Sequence, residues 1–185
     1  MENKPLDQFT KRMYMVVAWG SLAVIVAVIL YGVVASLVKT GTGLAIGIEL
    51  VNVEWPLPYF AKPVSYFSIA CVSLFYSGLR LGEERIAKWP RQFLSFLQLF
   101  GFVVAFASAY EVLYNFMLWG SFLSSQLVTS SVATLVNINS VSSPGPVPWN
   151  LVFATKIFLS IFVISAYVTY FLRRIHRPSG ARDAV

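Results

Sequence analysis

The chain is 185 residues long, 57% hydrophobic and only 12% charged. A soluble domain carries roughly 25% charged residues, so an ordinary water-soluble fold is excluded. The net charge of +6 does not mark a nucleic-acid binder, because the basic residues cluster at the ends of apolar runs, where they report topology. Cys71 is the only cysteine and His176 the only histidine. One chain therefore supplies no disulfide, no CxxC redox motif, no bis-histidine haem and no side-chain metal cluster.

A membrane span needs about 20 apolar residues, and four runs qualify. The first, about 14–37, is too long for a cleavable signal peptide and lacks a cleavage site after it. It carries a small-residue stripe, Gly20, Ala23, Ala27 and Ala35, continued through Tyr31. Such a stripe suits close docking of another helix. The loop that follows, 40–63, places Leu44, Ile48, Val51 and Trp55 at helical spacing with Glu49 and Asn52 between them. A short helix lying in the interface fits this pattern; a re-entrant or strand-like segment is the alternative. The second span, about 64–79, is rich in hydroxyls: Ser65, Ser68, Ser73 and Ser77, with Cys71 among them. Hydroxyls of this kind bond readily to carbonyls of their own helix.

A short basic loop, 80–91, leads to the third span, about 93–123. Pro90 suits the first turn of that span. The Glu83–Glu84 pair lies among four basic residues and reads as a solvated loop. The third span is long enough to tilt or to project past the bilayer around Trp119 to Leu123. Gln98, Gly101, Ala105, Ser108, Glu111 and Asn115 recur on it at steps of three or four, giving one small and polar face opposite a face of Phe, Val and Leu. That face is a helix–helix interface or, in the functional reading, a polar pathway for an ion, a proton or a quinone head group. The outer loop 124–149 is rich in Ser, Thr and Asn and ends in a stiff Pro-Gly-Pro-Val-Pro-Trp turn. The fourth span, about 151–172, carries Lys156, and a basic tail covers 173–185.

Glu111 and Lys156 are the charges deepest in these apolar runs. Leaving either unpaired at mid-membrane costs about 2.5–3.5 kcal/mol, so the two are expected to pair. The pair is either a structural clamp between two helices or a protonatable or partner-contacting site. Tyr59, Tyr110, Tyr114, Trp119 and Trp149 fall near the expected outer boundary and form an aromatic belt.

Basic residues fix the direction. Lys4, Lys11 and Arg12 precede the first span, Arg80, Arg85, Lys88 and Arg91 separate the second from the third, and Arg173, Arg174, Arg177 and Arg182 follow the fourth. The other two loops hold only Lys39 and Lys62. Both termini are thereby expected in the cytoplasm and both longer loops outside. The expected fold is an all-α membrane protein, a single bundle of four transmembrane helices, in the plasma (inner) membrane.

Two stretches, Gly78-Leu-Arg-Leu-Gly-Glu-Glu-Arg-Ile86 and Pro144-Gly-Pro-Val-Pro-Trp149, resemble the small membrane subunit of tripartite TRAP solute transporters. That family's Trp with paired acidic residues after the first span has only Glu54-Trp55-Pro56 as its counterpart. A second resemblance, in span count, is to the DoxX/DoxD membrane proteins, without their Arg- and Gly-rich first span. Either likeness implies a four-helix membrane fold.

No Ser/His/Asp set, HExxH, Walker or Rossmann glycine motif occurs. The function expected from these residues is a non-catalytic membrane subunit, a scaffold or accessory part of a larger respiratory or transport complex. Two alternatives are a small homo-oligomeric transporter or channel using Glu111, and a membrane enzyme acting on a quinone or lipid. No resident cofactor or metal is expected, though a lipid or quinone can lie in the grooves. The expected partners are other membrane subunits and lipids, with no nucleic acid.

Overall fold

The computed structural model describes residues 7–40, 46–52, 62–129 and 149–176. Five helices account for nearly all of them: α1 (Gln8–Thr40), α2 (Ile46–Asn52), α3 (Pro63–Ile86), α4 (Arg91–Thr129) and α5 (Trp149–His176). The long four each contain a stretch apolar enough to cross a membrane, with mean hydropathy of 2.7, 1.3, 1.8 and 2.1 in chain order. They mark the chain as a multi-pass membrane protein built as a helical bundle. Trp55, Tyr59, most of the 124–149 loop and the tail beyond His176 lie outside the described residues.

Every span is longer as a helix than its apolar run, because polar residues at the ends extend the turns. Asp7 caps α1: its carboxylate accepts the Thr10 amide, and its carbonyl accepts that of Lys11 at 3.0 Å. An acid at this position satisfies an orphan donor and faces the positive end of the helix dipole. The bonds from Thr10 hold the Asp7 carboxyl below its ordinary value of 3.8. A folded value below the unfolded one means that the cap is intact above pH ~4 and is lost as pH falls through the folded value. The Thr10 amide proton, followed by NMR in micelles, is expected to shift with a midpoint below 3.8; a midpoint at or above the ordinary value would remove Asp7 as the cap.

α3 starts from Lys62 in an extended conformation with Pro63 in the first turn, where a missing amide costs nothing. It then runs through Arg80–Ile86, which the sequence reading assigned to a loop. An Arg80–Glu83 ion pair of 3.2 Å, one turn apart, supports this extension, and the connection to α4 shrinks to residues 87–90. Pro90 stands just before α4, its carbonyl accepting the Leu94 amide at 3.1 Å. α4, with 39 residues, is about 58 Å long, nearly twice the ~30 Å hydrocarbon core.

The long helices pack in the order α1, α3, α5, α4. α1 lies mainly against α3, α3 also against α5, and the extensive packing of α4 is against α5 alone. α2 closes one end, seated on α1, α3 and α5. A Cβ on Gly32 would stand 2.7 Å from Ile46, so only glycine lets α2 come this close. Two small cores result. Leu50, Val51 and Val64 gather Val28, Ile46, Val152 and Phe153 under α2. At the opposite end Leu94, Phe171 and Leu172 join α4 and α5 to the end of α3.

The arrangement leaves α1 and α4 at the two edges. Between 11% and 17% of each span's most apolar window is buried within the chain, so most of the apolar surface faces outward.

Candidate functional site

The polar face expected on the third span is the face of α4 turned towards α5. Gly101, Ala105, Ser108 and Asn115 are buried, and Gln98 and Glu111 are half-buried at its margins. A Cβ on Gly101 would lie 2.8 Å from the Thr169 hydroxyl and 3.6 Å from the Ser165 carbonyl. The helices therefore touch backbone to side chain at this level, as small residues permit. The outward arc holds Phe96, Phe100, Phe106, Leu113 and Met117, all strongly exposed.

Lys156 turns towards α3. Its ammonium donates to the Ser65 hydroxyl. Among the described residues no ion pair or hydrogen bond joins it to Glu111. The reason is placement across the row of helices: the lysine stem reaches over α5 to the start of α3, whereas Glu111 sits on the far neighbour, α4. Lys62, at the head of α3, acts on Lys156 as a like charge.

Beside Lys156, α4 and α5 enclose a cavity of about 180 Å³ lined by Asn115, Phe116, Trp119, Val152, Thr155 and Lys156. Asn115 is only 7% exposed, and its side-chain Nδ2 has no hydrogen-bond partner. The Thr155 hydroxyl is engaged with the Leu151 carbonyl at 2.8 Å. The lining thus offers the Asn115 amide donor beside two aromatic side chains and the Lys156 stem, whose ammonium is turned to Ser65. A space of this size takes a few waters at roughly 30 Å³ each, or one small acceptor group.

The sequence reading missed a second cluster, at the other end. Tyr14 of α1, Tyr76 of α3 and Tyr167 of α5 form a chain of rings with centroids 5.9 and 4.8 Å apart. Arg80 lies over the Tyr76 ring at 5.8 Å while holding Glu83, and its buried Nε lacks a partner. The signal was present as Tyr76, Arg80 and Glu83 at steps of four and three. Assigning Arg80 to a loop concealed it. Arginine over an aromatic face is favourable, by about 0.5–2 kcal/mol depending on desolvation, and the chain of rings beneath it ties α1, α3 and α5 together.

Of the hydroxyls on α3, Ser77 bonds its own helix at the Ser73 carbonyl, 2.7 Å. Ser65 accepts from Lys156, and buried Ser68 Oγ has no partner. Glu49 of α2 is 5% exposed, buried where the sequence suggests an interfacial side chain. Tyr110 and Tyr114 stack on exposed α4 with centroids 6.3 Å apart.

The stripe on α1 faces away from the other helices. Gly20, Ala23 and Ala27 are exposed, and nothing lies within 4 Å of a Cβ built on Gly20. Ala35 departs from the stripe and is half-buried. The face that meets α3 is instead Tyr14, Ala18, Ser21, Ile25, Val28, Gly32 and Ser36, buried or half-buried throughout. Among the described residues no group of three or more His, Cys, Asp or Glu side chains is placed to hold a metal ion.

No family model matches the chain, and neither a curated protein nor a solved structure matches it.

Proposed function

We propose that the protein is a non-catalytic integral membrane subunit that joins a larger assembly through α1, with both termini in the cytoplasm of a cell bounded by the plasma (inner) membrane. The observation that carries this reading is the uncovered face of α1. Met13, Val16, Gly20, Ala23, Ala27, Leu30, Val34 and Leu37 are all exposed and follow steps of three and four without a break. Any outward arc of a helix follows such steps, and the small residues are what set this one apart. Gly20, Ala23 and Ala27 at its centre would let a second helix approach closely. The orientation is supported by the basic residues. Contacts between Tyr14, Tyr76 and Tyr167 put Arg12, Arg80, Arg173 and Arg174 at one end of the bundle, as the positive-inside rule requires. The open row of helices also encloses little interior through which a single copy could conduct, which weighs against a monomeric carrier.

The test places a single cysteine at Ala23 in a Cys71→Ser background and crosslinks it in native membranes, with blue-native electrophoresis and mass spectrometry of the uncrosslinked protein alongside. The expected result is a crosslinked adduct to one other membrane protein, present at fixed stoichiometry in the native assembly. A pure homo-oligomer crosslinked through Ala23 would support the transporter alternative. A monomer whose position 23 reacts only with lipid-soluble reagents would overturn both.

A further inference from the structure

We infer that the groove between α4 and α5 is a binding site for an anionic phospholipid from the leaflet on the arginine side. The inference is independent of the subunit reading, since it uses helices on the opposite edge from the α1 face. The groove has a volume of about 780 Å³. Ala105, Ala109 and Ala166 line it together with Phe102, Phe106 and Phe162. Small side chains on both helices leave the space and phenylalanines border it, an apolar lining suited to an acyl chain.

Polarity is confined to one end. Ser95, Gln98, Thr169 and Arg173 line the groove there. The Thr169 hydroxyl already donates to the Ser165 carbonyl at 2.9 Å, leaving the Ser95 hydroxyl, the Gln98 amide and the Arg173 guanidinium to face an incoming head group. Arg173 is exposed, and among the described residues it has no ion-pair partner. The one acid on α4 and α5, Glu111, lies deeper in α4 than the lining. Among the described residues Arg173 is thus the one charged side chain lining the groove, and a guanidinium beside a phosphate is the pairing it fits.

The dimensions agree with this occupant. From Ser95 to Ala109 the groove runs along fourteen helical steps, about 21 Å. Half the hydrocarbon core is about 15 Å, and one head-group layer adds about 5–7 Å. One phospholipid of a single leaflet thus spans the groove from its phosphate at Arg173 to its chain ends near Ala109.

The experiment is native mass spectrometry of the full chain, purified in mild detergent and exchanged with equal amounts of phosphatidylglycerol and phosphatidylcholine bearing the same acyl chains. Wild type is expected to retain phosphatidylglycerol preferentially. Arg173→Gln should lower that preference roughly fivefold, the effect of one basic residue at an anionic surface. Arg174→Gln removes the same charge outside the groove and should change it less than twofold. Ala109→Phe fills the groove and should reduce retention of both lipids while leaving helicity and monodispersity unchanged; Ala166→Leu is the milder substitute if that variant misfolds. Equal losses in the two arginine variants would reduce the effect to diffuse surface charge and overturn the site. No preference for phosphatidylglycerol in wild type, or retention of an added quinone in its place, would also overturn it.

Discussion

Gly101→Leu is expected to detach α4 from the rest of the protein. A Cβ alone at this position would stand 2.8 Å from the Thr169 hydroxyl, inside van der Waals contact. A leucine would also have to pass the Ser165 carbonyl, 3.6 Å from that Cβ. Overpacking of this kind costs typically 1–3 kcal/mol, and α4 has no second long neighbour on which to redistribute it, because its extensive packing is with α5 alone. Gly101→Ala is the graded case. The obstacle there is one hydroxyl, so Thr169→Ala should restore the thermal midpoint in micelles that Gly101→Ala lowers, a coupling of about 0.5–3 kcal/mol in a double-mutant cycle. It should not rescue Gly101→Leu, since the backbone carbonyl remains. A Gly101→Leu variant as stable as wild type, with α4 still protected from protease, would show that the crossing at Gly101 is not where the two helices are held.

The spans were legible because they depend on composition summed over about 20 residues. The outward arc of α4 was legible for the same reason: its phenylalanines have no better environment than lipid. The ends were harder to read. Arg80–Ile86 looks like a loop by charge but is helix, because hydropathy does not register a pair such as Arg80–Glu83 one turn apart. On α1 the sequence correctly shows a face of small residues but does not say which neighbour takes it. The chain uses a different face, through Gly32 and Ser36, for α2 and α3, and leaves Gly20, Ala23 and Ala27 open. Pairing charges by depth alone led to Glu111 and Lys156. Depth gives the level of a side chain along the membrane normal and nothing about which face of its helix it occupies. The order α1, α3, α5, α4 is tertiary information: α5 has a neighbour on either side, and Lys156 lies on the face towards α3, where it meets Ser65. The tyrosine cluster needed the same information, since its three rings come from three helices.

Lys156→Met should leave the fold intact or stabilise it, and its effect should be independent of Glu111. Lys156 lies seven residues into α5 from Trp149, ~10 Å of rise. There an ammonium pays part of the ~2.5–3.5 kcal/mol charged at the bilayer centre. Its hydrogen bond to Ser65 returns about 1.5–3 kcal/mol at most, and the like charge of Lys62 subtracts from that. The net change on neutralisation is therefore within about 1 kcal/mol of zero, on the stabilising side where the repulsion dominates. Ser65→Ala in the wild-type background strands the ammonium and should lower the thermal midpoint; in the Lys156→Met background it should do almost nothing. Glu111→Gln, with no partner shared with Lys156, should add to Lys156→Met within about 0.5 kcal/mol. A larger coupling between the two would mean that they meet, directly or through water, in the membrane-embedded protein. If additivity holds and Lys156→Met is the more stable protein, the lysine is kept for something other than stability. The cavity that its stem lines together with the unpartnered Asn115 amide is then the first place to look for an acceptor.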